Sequence, residues 1–187
     1  MQKIEKEIKI QLTEAEKVIE TLRNCGAIFL GAAFEKTIRF DTSNHLLEQN
    51  GLFLRVRNGF SNKITLKEKI GEDSVTRNRL ETEIEVDDVD KVAYIFQKIG
   101  FNYTRVMEKY RMKWCLKEAE IVIDELPFGV FMEIEGNSDD IMSLLSFLNL
   151  SSEKVILETY WELNEKIDPN LLDIRFPSQY TYKLMEL

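Results

Sequence analysis

The chain has 187 residues, of which 44% are hydrophobic and 31% are charged, a composition typical of one globular domain rather than of a disordered chain. Its net charge of −8 disfavours nucleic acid and anionic membranes as partners, because both are negatively charged. No apolar run reaches the roughly 18 residues of a membrane span, and the first residues are charged and alternating, unlike a signal peptide. We therefore expect a cytoplasmic protein with no nucleic-acid or membrane partner.

The first predicted elements form a unit that recurs along the chain: a short strand with a Glu-x-Glu pattern, then an amphipathic helix. The strand is predicted over residues 5–10 and the helix over 13–26. Thr13 and Glu16 have the spacing of a capping box, and Gly26 is a typical helix stop signal. The apolar face of the helix consists of Val18, Ile19 and Leu22.

Two further copies of this unit follow. Their predicted elements are a strand over 81–86 with a helix over 88–100, and a strand over 133–135 with a helix over 141–150. The last helix has Asn137 or Ser138 as its cap. The predicted apolar stripe of the second helix is Val92, Ile95, Phe96 and Ile99. The repetition indicates two related halves, a partial third unit and a helical tail.

Additional strands lie between these units, and the fold class follows from their number. They are predicted over residues 34–40, 51–58, 63–69, 107–114, 121–124 and 130–135. About eight strands with few helices indicate an α+β protein, mainly antiparallel β, in which an eight-stranded β-barrel avoids open sheet edges and helices flank it. Residues 156–166 are predicted to be helical, and no structure is assigned to the tail broken by Pro169 and Pro177.

Strand residues alternate between the two faces of a sheet, and charged and apolar side chains separate by this alternation here. In a single strand, a charged face usually indicates contact with water. Here, however, strand after strand places full charges side by side, segregated by sign. The cations are Arg55, Arg57, Lys63, Lys67, Arg79, Lys109 and Arg111, and the carboxylates are Glu5, Glu7, Glu133 and Glu135.

The direction of the charged faces follows from the apolar ones. If helices cover the apolar outside of a barrel, the charged faces point inward, where charges must be paired, hydrated or ligand-bound. A cluster of cations around carboxylates suits a polyphosphate with its divalent ions. The single histidine, His45, excludes a multi-histidine site, and Cys25 and Cys115 cannot form a zinc or disulfide framework alone. A metal would therefore be a hard ion held by carboxylates, such as Mg²⁺ or Mn²⁺.

These strands resemble, in order, the motifs of the CYTH superfamily, the triphosphate tunnel metalloenzymes. The resemblance covers roughly residues 3–136, starts with the ExExK signature at residues 5–9 and has a weaker echo at Thr159-Tyr160. ExExK alone is weakly specific, whereas seven elements in the right order are specific. The further motifs are Phe40-Asp41-Thr42, Leu54-Arg55-Val56-Arg57, Lys63-Ile64-Thr65-Leu66-Lys67, Arg79-x-Glu81-x-Glu83, Lys109-Tyr110-Arg111, Ile123-Asp124 and Gly129-x-Phe131-x-Glu133-Ile134-Glu135.

The resemblance implies an eight-stranded antiparallel tunnel with assigned roles. The implied metal ligands are Glu5, Glu7, Glu133 and Glu135, with Asp124 as an addition. The implied triphosphate-binding residues are Arg55, Arg57, Lys63, Lys67, Arg79, Lys109 and Arg111. Lys9 and Glu81 or Glu83 are the implied catalytic residues, which orient Lys and Arg side chains or the attacking group.

Members of the superfamily hydrolyse inorganic triphosphate, thiamine triphosphate or nucleoside triphosphates, or cyclise ATP. The bacterial triphosphatase branch often begins Glu-Ile-Glu-Arg-Lys-Phe, from which this chain departs at Lys6, Ile8 and Ile10. Its compact length and short tail are instead similar to the group named class IV adenylyl cyclase-like. The resemblance thus leaves the branch open.

Three functions follow, of which the first is expected. It is a metal-dependent hydrolase of a triphosphate; the alternatives are a class IV adenylyl cyclase that makes cyclic AMP and pyrophosphate, and a non-catalytic binder of polyphosphate or nucleotide. We expect a single CYTH-type domain over residues 1–187, with a core over about 3–136 and a helical C-terminal portion over 137–187. The expected partner is a small-molecule triphosphate, and a homodimer is an alternative that the sequence leaves open.

Overall fold

The computed structural model describes residues 2–72 and 77–186. The strands are β1 (Gln2–Leu12), β2 (Ile28–Asp41), β3 (Leu52–Asn58), β4 (Lys63–Glu72), β5 (Arg77–Glu85), β6 (Asn102–Leu116), β7 (Ala119–Leu126) and β8 (Gly129–Glu135). They close into an antiparallel ring in the order β1-β5-β4-β3-β2-β6-β7-β8, because β8 pairs back onto β1. This confirms the predicted α+β fold with an eight-stranded antiparallel barrel.

Helices flank the ring. They are α1 (Ala15–Asn24), α2 (Leu46–Gln49), α3 (Val89–Lys98), α4 (Ser138–Phe147) and α5 (Tyr160–Ile167). Among the described residues, no helix is long and apolar enough to cross a membrane.

The start of α1 corrects the predicted capping box. The N-cap is Glu14, which makes no side-chain capping bond, so the pair Thr13 and Glu16 does not form the box. The reason is that β1 stays paired with β8 up to Leu12, which holds the chain extended until just before the helix. The predicted stop is confirmed, because Gly26 follows α1 with a φ of +83°, a conformation that favours glycine.

The largest apolar core lies outside the ring, where α1 and α4 cover β1, β7 and β8. Its members include Ile8, Ile10, Val18, Ile19, Leu22, Ile134 and Ile141. Ile8 and Ile10 of β1 thus face the helices, and the odd-numbered Glu5, Glu7 and Lys9 face the interior of the ring. Covering the apolar outside therefore turns the charged face inward, as the alternation predicts.

The predicted apolar stripe of α3 is only half correct. Val92 and Phe96 are partly buried and pack in a cluster around Phe40 on the outside of the ring. Ile95 and Ile99, in contrast, are 54% and 65% exposed. This cluster is small, so only a narrow stripe of the helix meets the sheet.

The segment after α4 returns to the end of the ring. The helix predicted over 156–166 begins later, at Tyr160, because the residues before it follow β1 instead: the Ile156 N–H donates to the Lys9 carbonyl oxygen at 2.7 Å. Thr159 and Glu162 form a complete capping box at the start of α5, which the sequence analysis did not identify.

The C-terminal portion predicted to be helical over 137–187 is helical in α4 and α5, but the described residues between Ile167 and Leu184 contain no helix. This tail docks on the outside of β6 and β7. The Ile174 amide donates to the carbonyl oxygen of Val106 at 2.9 Å. Further on, the fully buried carboxylate of Glu125 accepts hydrogen bonds from the Tyr180 hydroxyl at 3.0 Å and the Lys183 amide at 2.7 Å. One carboxylate on the outer face of β7 thus anchors the end of the chain.

Candidate active site

The interior of the ring is a cavity of about 780 Å³. Most of the side chains selected by strand alternation line it, because they occupy inward positions of the strands. These are Glu5, Glu7, Lys9, Arg55, Arg57, Lys63, Lys67, Arg79, Glu81, Glu83, Lys109, Arg111, Glu133 and Glu135. Among the predicted site residues, Asp124 alone is not among the described residues that line the cavity; it lies fully buried in the wall.

The carboxylates of the first and last strands meet at one place in the ring. Glu7 of β1 is the direct cross-strand partner of Glu135 of β8, and Lys9 is the partner of Glu133. A recess of about 40 Å³ lies here, lined by five glutamates, Glu5, Glu7, Glu120, Glu133 and Glu135, with Arg111 and Val122. Burial, followed by the charges of Glu133 and Glu5, raises the pKa of Glu7. Burial and the neighbouring carboxylates therefore disfavour the ionised form of Glu7 in this recess.

Lys67 connects two carboxylates on neighbouring strands. Its Nζ lies 2.6 Å from Oε2 of Glu5 and 2.5 Å from Oε1 of Glu81. Burial alone would raise the pKa of Glu5, but the charge of Lys67 and its hydrogen bond outweigh burial and lower that pKa. The three side chains thus form one ion cluster in the wall of the cavity, with a single cation between two carboxylates.

Glu83 gathers the cations of β3 and β4. Its Oε2 lies 2.9 Å from Nζ of Lys63, and its Oε1 lies 3.9 Å from Arg55 Nη2 and 3.8 Å from Arg57 Nη2. Thr65 donates its hydroxyl to Oε1 at 2.9 Å. Burial opposes ionisation, yet the hydrogen bonds from Lys63 and Thr65 lower the pKa of Glu83 to about 2. Glu83 is therefore ionised at neutral pH and orients cations.

Lys109 and Arg111 are held by Asp124 on the opposite side of the ring. Lys109 Nζ donates to Oδ2 of Asp124 at 2.9 Å, and Arg111 donates from Nε to Oδ1 at 2.6 Å and from Nη2 to Oδ2 at 2.5 Å. Arg111 Nη2 also lies 2.7 Å from Oε2 of Glu133. Burial would lower the pKa of Arg111, but Asp124 and Glu35 raise it well above its usual value. In this arrangement both oxygens of Asp124 are engaged by cations.

The sequence analysis missed Glu35, which faces Lys109 and Arg111 from β2. Its Oε2 lies 3.7 Å from Lys109 Nζ, 3.7 Å from Arg111 Nε and 3.9 Å from Arg57 Nη1. Burial opposes ionisation, but Arg111, Lys109 and Arg57 lower the pKa of Glu35 to about 2. Gly59 is required beside it, since a Cβ at that position would lie 2.7 Å from Glu35 Cγ. Strand alternation over residues 34–40 was the signal that would have identified Glu35.

The start of α5 forms part of the cavity wall and was also missed. Leu157, Tyr160 and Trp161 line the cavity. Lys9 Nζ donates to the Glu158 carbonyl oxygen at 3.1 Å and lies 4.3 Å from the centre of the Tyr160 ring. The Thr159-Tyr160 echo was the only sequence signal for this wall.

A separate group, away from the glutamate recess, brings three candidate metal ligands together. Within the part of the chain that the structure describes, the set whose ligand atoms all lie within 4.8 Å of one another is Asp41, His45 and Glu48. Asp41, however, accepts backbone hydrogen bonds from Thr42, Leu47 and Glu48, so it caps the short helix α2. The tunnel glutamates are not so closely gathered.

Comparison with known proteins agrees with this geometry. The sequence model of the CYTH domain matches residues 3–160. A protein of Methanocaldococcus jannaschii, provisionally named an adenylate cyclase, is 29% identical over 171 residues, which cover 86% of this chain and 98% of the relative. The solved structure of the PH1012 protein from Pyrococcus horikoshii OT3 is 25% identical, with a TM-score of 0.72 over 85% of this chain and 98% of that one.

A plant structure has a similar fold at lower identity. HpAC1 from Hippeastrum, provisionally named an adenylyl cyclase and described as having a dominant triphosphatase activity, is 16% identical, with a TM-score of 0.64 over 97% of this chain and 100% of that one. At this identity the similarity shows the fold.

Proposed function

Since this chain belongs to the CYTH family, we propose that it is a metal-dependent hydrolase that binds a triphosphate inside the ring. The observation that carries the proposal is a cavity of about 780 Å³ that is lined by all seven predicted cations and all six predicted glutamates. Phosphoryl transfer requires mainly positioning and charge neutralisation, and the cavity supplies groups for both.

The cations are proposed to bind the phosphate oxygens. They are Arg55, Arg57, Lys63, Lys67, Arg79, Lys109 and Arg111. The carboxylates that pair with them, chiefly Glu81, Glu83 and Glu35, keep these cations extended into the cavity before substrate arrives. Arginine side chains add bidentate recognition of phosphate.

The glutamate recess fits a divalent cation. Five carboxylates meet around about 40 Å³, and burial together with the charges of Glu133 and Glu5 raises the pKa of Glu7. A hard cation with oxygen ligands would stabilise the ionised form of such a cluster. We propose that Glu5, Glu7, Glu133 and Glu135 hold Mg²⁺ or Mn²⁺. When bound, such an ion supplies charge neutralisation on the phosphates and lowers the pKa of a water ligand.

Asp124 receives a different role from the one implied by the family resemblance. Its two oxygens accept hydrogen bonds from Lys109, Arg111 and Tyr160, and the side chain is fully buried. We propose that Asp124 anchors the phosphate-binding cations and does not bind the metal.

The proposed catalytic residues act by orientation. Lys9 lies 3.3 Å from Oε1 of Glu133 through its Nζ, so it fixes the direction of a proposed metal ligand. Glu81 orients Lys67 at 2.5 Å and Arg55 at 3.7 Å, and Glu83 orients Lys63. These contacts favour the orientation of cations over proton transfer as the role of both glutamates.

A class IV adenylyl cyclase is the second candidate, because the relative from Methanocaldococcus jannaschii is provisionally named an adenylate cyclase. The same cations would bind the triphosphate of ATP, and the ribose 3′-hydroxyl would be the nucleophile. Apolar and aromatic side chains that line the cavity, Phe53, Phe60 and Trp161, would contact the nucleoside.

Product identification distinguishes the candidates. The protein is incubated with tripolyphosphate, ATP or thiamine triphosphate, each with Mg²⁺ or Mn²⁺ and with an EDTA control. Orthophosphate that appears only with metal supports the hydrolase, whereas cyclic AMP with pyrophosphate supports the cyclase. Tight binding without turnover identifies a non-catalytic binder and would overturn both enzymatic proposals.

A further inference from the structure

Asp124 is contacted from two sides. From the cavity, Lys109 Nζ and Arg111 Nη2 donate to its Oδ2 at 2.9 and 2.5 Å. From α5, the Tyr160 hydroxyl donates to the same oxygen at 2.9 Å. Two cations and one phenol therefore share one carboxylate oxygen, and a change in any one of them affects the other two.

The Tyr160 hydroxyl is held firmly in place. Tyr160 is the first residue of α5 and only 5% exposed. Its ring packs against Phe131 with a centroid distance of 5.3 Å, and Lys9 Nζ lies 4.3 Å from the ring centre. Thr159, the residue before Tyr160, caps the helix. These contacts fix the position of the phenol, so its hydroxyl donates to Asp124 from a defined place.

The two cations have alternative partners inside the cavity. Arg111 Nη2 also contacts Oε2 of Glu133 at 2.7 Å, and Lys109 Nζ lies 3.7 Å from Oε2 of Glu35. Their position thus depends on how strongly Asp124 attracts them. The Tyr160 hydroxyl is a neutral donor to Oδ2, so it weakens the attraction of Asp124 for the two cations without adding charge. Lys109 and Arg111 therefore stay directed toward the cavity.

We propose that Tyr160 is a positioning residue: through Asp124 it holds Lys109 and Arg111 where they bind the triphosphate. The inference rests on the proposed function for the identity of the ligand. It assigns a role in substrate binding to the start of α5, a segment that follows the ring in sequence and contacts it at this point.

A matched control exists on the same strand. Asp124 and Glu125 are consecutive residues of β7, and each accepts a hydrogen bond from a tyrosine hydroxyl, Tyr160 at 2.9 Å and Tyr180 at 3.0 Å. Glu125 holds the tail and does not line the cavity. Tyr180→Phe therefore removes an equivalent hydrogen bond outside the proposed site.

The test compares Tyr160→Phe, Tyr180→Phe and the wild type by calorimetric titration with tripolyphosphate and by kinetics with tripolyphosphate and ATP, after thermal melting has confirmed folding. Tyr160→Phe should raise Kd and lower kcat/KM by about 10-fold. The effect should be equal for both substrates, because the triphosphate part is affected. Tyr180→Phe should change neither quantity, although both variants lower Tm.

Two results would overturn the inference. One is an unchanged Kd and kcat/KM in folded Tyr160→Phe; the other is a loss with ATP alone, which would place Tyr160 against the nucleoside. A double-mutant cycle combines Tyr160→Phe with Lys109→Met. In the Lys109→Met background, Tyr160→Phe should change Kd and kcat/KM by less than about threefold, because one of the two positioned cations is absent. Full additivity would contradict a route through Lys109. If the wild type has no turnover, the proposed function fails, and the Kd comparison still decides the role of Tyr160.

Discussion

At the scale of single residues, carboxylates in the cavity wall pair with the cations and keep them in positions where another anion could bind. Lys67 is the clearest case, since it lies 2.6 Å from Glu5 and 2.5 Å from Glu81. A phosphate oxygen would take the place of one of these carboxylates, so Lys67 stays paired with an anion before and after binding. The same reasoning applies to Lys63 on Glu83.

Replacing Lys67 tests the phosphate-binding role. Lys67→Ala removes one charge-assisted contact, worth about 1.5–3 kcal/mol, and should lower kcat/KM for tripolyphosphate roughly 10- to 150-fold. Excess Mn²⁺ should not restore activity, because the proposed metal ligands are unchanged in this variant. The control is Lys36→Ala, which removes an exposed lysine of β2. A wild-type kcat/KM in Lys67→Ala would remove this residue from the binding site.

Replacing Glu133 tests the metal-binding role. Glu133→Gln keeps the side-chain volume but removes a negative charge, so Mn²⁺ affinity and kcat should both fall, and excess metal should partly restore kcat. Metal titration of the protein without substrate measures the first effect. Glu118→Gln, an exposed position at the β6–β7 turn, is the charge-matched control. Superimposable Mn²⁺ titration curves of Glu133→Gln and wild type would show that Glu133 is not a metal ligand.

Glu35 makes the stability of the ring depend on pH. Its pKa is about 2 in the folded protein, against 4.5 ordinarily, so its ionised form stabilises the fold above pH 4.5, and this contribution disappears as pH falls toward 2. Glu35→Gln should therefore lower the unfolding free energy by about 3 kcal/mol at pH 7 and by much less near pH 2. Urea unfolding at several pH values measures the difference. A deficit independent of pH would contradict the assigned ion pairs.

At the scale of elements, α5 and α1 differ in how they begin. Thr159 and Glu162 cap α5 reciprocally, with the Glu162 amide donating to Thr159 Oγ1 at 3.1 Å and the Thr159 amide donating to Glu162 Oε2 at 2.6 Å. At α1, the similar pair Thr13 and Glu16 makes no such box. The capping-box pattern is thus present in the sequence of both helices but forms only at α5. At α1 it does not form, because strand pairing reaches the residue before Thr13.

This difference gives a paired prediction. Thr159→Ala should lower the unfolding free energy by about 0.5–2 kcal/mol and speed hydrogen exchange in α5, whereas Thr159→Ser should retain the cap. Thr13→Ala should change stability by less than about 0.5 kcal/mol. Urea unfolding with hydrogen-exchange mass spectrometry measures both effects. Equal costs for Thr13→Ala and Thr159→Ala would contradict the assignment of the caps.

The sequence predicts the strands of the ring better than the position of the C-terminal tail, and the reason is physical. Side chains along a β-strand alternate with a period of two, so the inward direction of residues such as Arg55 and Glu133 can be predicted from their own strands. Glu35 obeys the same period in β2, so its inward direction is equally predictable from its strand. The position of the tail, in contrast, depends on distant carboxylates, Glu125 and Glu108, and on backbone contacts of Ile174. No local sequence pattern indicates these contacts.

At the scale of the whole molecule, charge is distributed unevenly. The chain has a net charge of −8, yet the cavity is lined by as many Lys and Arg residues as Glu residues. The remaining negative charge therefore lies elsewhere, and a highly charged anion must approach against the overall field. A triphosphate that arrives with divalent cations is nearly neutral, which favours entry of the metal complex.

The central claim is that the ring binds a triphosphate together with a divalent ion, and calorimetric titration with tripolyphosphate tests it directly. With Mg²⁺ or Mn²⁺, we expect saturable binding of one triphosphate per chain, a strong weakening in EDTA, and a loss of affinity in Lys67→Ala that Lys36→Ala does not show. Absence of saturable binding in the presence of metal, or equal affinity in Lys67→Ala and wild type, would contradict the account.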